Sequence, residues 1–201
     1  RYKNDWEQAQ LKFQEYWARA NHDRPLVAIQ GIREGDKGFD WRDPQYRAPT
    51  RLIDRWMDPD WLIRRARAQA GATWYGGEAY PDFWPNLGPD IFAAFLGEEL
   101  EFGEDTSWAK HGLASWDGRP VFRLDLENRW WRAICTMAEA LVADAQGDYF
   151  VGVTDLHAGL DGLVSMRGPE TLAMDLFDHP DAVKSAVFEC FAVLQKVHEK
   201  L

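Results

Sequence analysis

Apolar residues recur at helical spacing in some stretches of the chain and in short unbroken runs in others. Trp6, Ala9, Phe13, Tyr16, Trp17 and Ala20 mark one face of an amphipathic helix over residues 5–20, with Asn4 and Glu7 placed as a capping box. Pro25 then opens an apolar run at 26–31 that predicts a buried strand. Residues 33–50 are rich in Gly, Asp, Pro and Arg and read as a long loop, a length often kept for function. Asp58 and Pro59 are a cap and a first-turn proline for a helix to about Ala70. Gly76, Gly77, Pro81, Pro85 and Pro89 interrupt residues 71–90, leaving 79–84 as a strand candidate. Asp90 is placed to cap a short helix over 91–96, ended by Gly97. Residues 98–105 read as a solvated acidic loop, and Asp117-Gly118 as the centre of a turn before a strand at 120–126. Asn128 caps a helix whose apolar face runs from Trp130 to Ala145, with Gly147 as its stop. A buried strand is predicted at 149–153, then helices over 160–166, from Pro169 to Phe177, and from Pro180 onward. The last has no stop signal, so the pattern predicts a piece of something longer.

Helices alternating with separated buried strands predict a parallel sheet. In such folds ligands gather at the carboxyl ends of the strands. The run at 149–153 delivers Thr154-Asp155-Leu156-His157 to that position. An imidazole titrates near neutral pH, which makes His157 a candidate general acid or base, with Asp155 or Asp161 to orient it. The same residues also fit a structural role, Asp155 capping the next turn and His157 bonding a backbone carbonyl. Trp84 and Asn86 follow the strand candidate at 79–84 and are candidate substrate-binding residues. If both strands belong to one parallel sheet, these two residues, Asp155 and His157 face one cavity.

A chain of 201 residues with 46% hydrophobic residues suits one globular domain. A net charge of -10 argues against nucleic acid as a partner and weighs against polyanionic substrates. Cys135 and Cys190 form neither a disulfide framework nor a Cys-x-x-Cys site. With no long apolar run and no visible signal peptide, the simplest expectation is a cytoplasmic protein without a membrane partner. The chain begins at Arg1, not Met, which leaves a removed leader open. Of its 11 tryptophans, Trp41, Trp84, Trp108 and Trp116 fall in predicted loops, where an indole covers a core edge or stacks on a ligand. Dinucleotide, P-loop, nucleophile-elbow and zinc-protease motifs are all missing.

Two stretches carry a family resemblance. One is YPDFWPNLGPDIFAAFLG at 80–97 with EFGEDTSW at 101–108; the other is DLHAGLDGLVSMRG at 155–168 with DLFDHPDAV at 175–183. Together they resemble the uroporphyrinogen decarboxylase superfamily, in particular its decarboxylase-like branch, over roughly residues 60–201. The superfamily also contains corrinoid-linked methyltransferases. The resemblance implies a (β/α)8 TIM-type barrel, of which this chain is the N-terminal part and which it does not close. It implies corrinoid-linked methyl transfer on a small substrate, with a corrinoid protein as partner. Zinc and the corrinoid would be bound through regions beyond this chain, which itself contributes no metal ligand. One alternative is decarboxylation of a tetrapyrrole; another is a non-catalytic barrel that stacks a ligand on Trp84. True decarboxylases carry an arginine-rich R-Q-A-G-R-Y type segment after the first strand. Here the loop reads GIREGDKGF at 31–39, with Arg33 as its only arginine and substrate-binding candidate. The zinc-binding His-x-Cys of the methyltransferases does not occur. Acidic residues outnumber basic ones in the candidate loops, so a small or weakly charged substrate is expected.

Overall fold

The computed structural model describes residues 1–119 and 121–201. In chain order the elements are α1 (Trp6–Trp17), β1 (Ala28–Ile32), a 3-10 turn (Pro44–Tyr46), α2 (Leu52–Met57), α3 (Pro59–Ala72), β2 (Thr73–Gly77) and β3 (Asp82–Phe83). Then come α4 (Ile91–Phe95), β4 (Leu100–Phe102), β5 (Ser107–Ala109), α5 (Arg129–Ala145), β6 (Phe150–Val151), α6 (Leu160–Arg167), α7 (Pro169–Asp178) and α8 (Pro180–Lys200). The fold is mixed α/β. Its strands form three two-stranded sheets, two antiparallel and one parallel, and no closed barrel among the described residues. The chain divides into two compact units. The first holds Arg1–Thr50, Asp58–Trp84 and Ala138–Gly152; the second holds Arg51–Met57, Pro85–Met137 and Val153–Leu201.

In the first unit the cap of α3 forms as its sequence predicts: Asp58 accepts from the backbone N–H groups of Asp60 and Trp61 at 2.9 and 3.2 Å. The capping box at α1 does not form. Asp5 takes the cap position, and its carboxylate turns to the Lys3 ammonium at 3.0 Å instead of to the helix. β1 and β2 pair antiparallel from Ala28↔Gly77 to Ile32↔Thr73. All of β1 is exposed, not buried as its apolar composition suggests. Gly76 and Gly77 do not break β2 but permit it. The Trp74 indole lies over Gly76, where a Cβ would come within 2.3 Å of it, and Gly77 has φ +59 with Val27 O where a Cβ would stand.

β3 and β6 are the parallel pair, Asp82↔Phe150 and Phe83↔Val151, closed by Gly152 N–H donating to Phe83 O at 2.8 Å. Ala66, Leu141, Ala145 and Tyr149 form a core against which Leu62, Phe83 and Val151 pack. Along the run at 149–153 only Tyr149 is buried, while Phe150 and Val153 stand half exposed.

The buried Glu78 carboxylate accepts from both terminal nitrogens of Arg24 at 2.8 and 2.6 Å and from Val27 N–H at 2.8 Å. The Arg24 guanidinium, followed by that backbone bond, draws its pKa from 4.5 down to about 2. A depressed carboxyl pKa contributes stability that is present above the ordinary carboxyl range and is lost as pH falls toward the folded value. Urea midpoints measured from pH 5 down to pH 2 should therefore fall more steeply for wild type than for Glu78→Gln. Equal slopes would remove Glu78 from the acid response.

In the second unit α4 is buried throughout. The predicted acidic loop is instead an antiparallel hairpin, β4 with β5, registered Leu100↔Ala109 to Phe102↔Ser107. Leu100 and Ala109 face inward, while Glu101 reaches Lys110 at 3.1 Å on the outside. Asn128 caps α5 through Trp130 and Trp131 N–H at 2.8 and 3.2 Å. Asp90 does not cap α4; its carboxylate accepts from Ser165 Oγ at 2.7 Å and Ala109 N–H at 2.8 Å. Of the strand predicted at 120–126, Pro120 lies outside the described residues and 121–126 form no strand. The Phe122 N–H, which a neighbouring strand would need, donates to Glu189.

Candidate functional site

Beyond β6 the chain enters the second unit through buried Thr154 and then exposes Asp155 and His157. His157 Nε2 lies 2.9 Å from Asp155 Oδ2, and Nδ1 lies 3.7 Å from Asp161 Oδ2. The first is a hydrogen bond; the second is an ion-pair distance too long for one. Asp161 stands in the first turn of α6, four residues after His157, which brings its carboxylate back toward the ring. Gly159, at φ 69 and ψ -131, makes the reversal between His157 and α6. A Cβ there would meet the Phe191 ring at 3.2 Å.

His157 therefore bonds a carboxylate and not a backbone carbonyl, and Asp155 holds the imidazole and caps no helix. The Asp155 hydrogen bond raises the His157 pKa above its ordinary 6.5, with both carboxylate charges acting in the same direction. The His157 side chain is 45% exposed, so the cluster is open to solvent and to a ligand. The raised pKa favours the imidazolium, the form that can act as an acid. One ring nitrogen is fixed, and the other is free to exchange a proton with a bound molecule.

Of the other candidates, Asn86 lies in the second unit with the cluster, and Trp84 and Arg33 lie in the first. Asn86 Oδ1 accepts from Gly88 N–H at 2.7 Å, closing a tight turn, and shares no hydrogen bond with His157. Trp84 belongs to the first unit, directly after β3, and is 41% exposed. Arg33, also in the first unit, donates from Nη2 to Tyr2 O at 3.2 Å and Thr73 O at 3.1 Å, a role in holding the chain together. Phe191, beside Gly159, is a neighbour of the cluster that sequence reasoning misses, because there it is one member of the apolar stripe of α8. The only local hint is Gly159, which leaves room for its ring.

Among the described residues no group of three or more His, Cys, Asp or Glu side chains could hold a metal ion. Among them, too, no helix is long and apolar enough to cross a membrane. Comparison with protein-family models, with curated proteins and with solved structures finds no match to this chain. The family resemblance rests on residues 80–108 and 155–183 alone.

Proposed function

We propose that this chain is part of a (β/α)8 barrel enzyme of the uroporphyrinogen decarboxylase-like kind, with Asp155, His157 and Asp161 as its acid–base group in methyl transfer from a small substrate. The observation that carries the reading is the imidazole held between two carboxylates just past a strand of the parallel pair. The parallel pairing of β3 and β6, whose connection holds α4, the β4–β5 hairpin and α5, is compatible with a sheet of that kind.

The corrinoid of such a system supplies the methyl-accepting nucleophile. Neither it nor zinc is given a place on these residues, and the step assigned to His157 concerns the substrate alone. As the methyl leaves, the bond from carbon to its heteroatom breaks and the electron pair stays on the heteroatom. His157 donates a proton there from Nδ1. Asp155 keeps hold of Nε2 and favours the imidazolium beforehand. A tetrapyrrole polyacid fits less well, because Arg33 is committed to backbone carbonyls and the site carries two carboxylates.

The test is methylation of added cob(I)alamin by the protein, monitored by absorbance, with a panel of methylated amines, phenols and thiols. His157→Gln should lower kcat/KM on the order of 10²-fold. Asp155→Asn removes the partner that raises the imidazole pKa. Activity that needs the imidazolium is lost as pH rises through that pKa, so this variant should lose activity at lower pH than wild type. An active panel member whose turnover is unchanged in His157→Gln would overturn the role of the cluster.

A further inference from the structure

We propose that the free edge of β1 is an interface for a second copy of this chain, pairing antiparallel to its counterpart about a two-fold axis at Gln30. The proposal is independent of the chemistry assigned to His157.

The two edges of the β1–β2 ribbon are treated differently. Arg33 N–H donates to Ala72 O and Glu78 N–H to Val27 O, which fixes the alternation of the ladder. Val27, Ile29, Gly31 and Arg33 face β2 with their backbone groups, whereas Ala28, Gln30 and Ile32 turn theirs away from it. On β2 the outward carbonyls are Thr73, Tyr75 and Gly77. Each accepts from a cationic side chain: Thr73 O from Arg33 Nη2 at 3.1 Å, Tyr75 O and Gly77 O from Lys3 Nζ at 3.4 and 2.7 Å. That edge is closed to a further strand. Among the described residues no such cover lies over β1.

Natural sheets protect an open edge with charge, proline or a bulge. The β1 sequence, Ala-Ile-Gln-Gly-Ile, has none of these. Its flanks are apolar as well, with Ile29 49%, Ile32 65% and Trp74 51% exposed.

The strand complements itself. Centred on Gln30, the outward-facing Ala28, Gln30 and Ile32 meet Ile32, Gln30 and Ala28 of the second copy, so each exposed N–H and C=O finds a partner. Side-chain sizes match in the same register: Ala28 faces Ile32 on one side of the sheet, and Ile29 faces Gly31 on the other. Gly31 leaves a hollow beside the Trp74 indole, which a Cβ there would touch at 3.7 Å. The Ile29 side chain of the second copy fills that hollow. A strand this short buries less than the roughly 800 Å² per partner of a standard interface, so the dimer is a weak one.

Sedimentation of the protein from about 1 to 500 µM should show a reversible monomer–dimer equilibrium. Gln30→Pro removes an N–H that β2 does not use, and Ile29→Lys puts a charge on the paired face. Each should raise the dissociation constant about tenfold or more while the circular dichroism and thermal midpoint of the monomer hold. Hydrogen exchange gives a second readout that does not depend on either variant. The amides of Ala28, Gln30 and Ile32 should slow with rising concentration, while those of Ile29 and Gly31, already bonded to β2, should not. A monomer throughout that range would overturn the proposal. So would a dimer that both variants leave intact, or one that forms without the alternating protection.

Discussion

Arg167→Ala is expected to destabilise the protein by about 3–5 kcal/mol. The Arg167 side chain, 12% exposed, donates from Nε and Nη2 to the two oxygens of Asp175, itself 6% exposed, at 2.6 and 3.1 Å. Its remaining terminal nitrogen donates to Leu113 O at 3.0 Å and to Ala114 O. One guanidinium thus joins the end of α6, the middle of α7 and the segment before the Trp116 turn. Removing it leaves a buried carboxylate and two carbonyls without their donor, which is far worse than the loss of one surface ion pair. Arg167→Lys should recover little, because an ammonium does not reproduce the planar fork. Arg167 holds the Asp175 carboxyl below its ordinary value, so this contribution is present above the usual carboxyl range and fades as pH falls toward the folded value. The deficit of Arg167→Ala should accordingly narrow on acidification. Urea titrations at pH 7 and at about pH 2 test both points; a loss under about 1 kcal/mol at pH 7 would class the pair with surface ion pairs.

Apart from α2, for which no helix was expected, the helices were legible in the sequence because their signals are local. The stripe of α5 and the starts at Asp58-Pro59, Asn128, Pro169 and Pro180 place those elements within a residue or two. The strands were less so. β2 carries two glycines that look like breakers until the Trp74 ring and Val27 O are seen where their Cβ atoms would stand. β4 and β5 are hidden by an acidic composition that belongs to the outward face of a hairpin. The apolar run at 121–126 fails as a strand because a carboxylate on α8, Glu189, claims the Phe122 amide. Two of these outcomes depend on a residue distant in the chain, Val27 for Gly77 and Glu189 for Phe122.

The candidate site divides along the same line. Asp155 and His157 sit two residues apart and Asp161 four further on at a helix start, so their meeting comes from local geometry. Arg33 could not be judged that way, since Tyr2 and Thr73 lie 31 and 40 residues away. Asn86 does lie in a turn after a strand, yet its side chain is spent on making that turn.

That turn carries the other large effect. Gly88→Ala is expected to destabilise the protein by about 3 kcal/mol or more, from two separable causes. Gly88 has φ +96, a conformation that an L side chain reaches only at about 1–2 kcal/mol. Its Cβ would also stand 1.9 Å from Ser107 Oγ and 2.9 Å from Ser107 Cβ. Ser107 is buried on β5, and its hydroxyl donates to Leu87 O. Moving the hydroxyl aside breaks that bond and leaves a buried carbonyl unpaired, worth a further 1–3 kcal/mol or so. Gly97, with φ +114 and nothing within 4 Å of its Cβ position, isolates the first cause. Gly97→Ala should therefore show only the backbone penalty. Adding Ser107→Gly to Gly88→Ala removes the collision but not the backbone strain, and should bring the loss back toward that of Gly97→Ala plus the missing hydrogen bond. Equilibrium urea unfolding of the four proteins is the measurement. If Gly88→Ala falls within about 1 kcal/mol of Gly97→Ala, the packing of the 86–88 turn on β5 is not what holds the hairpin in place.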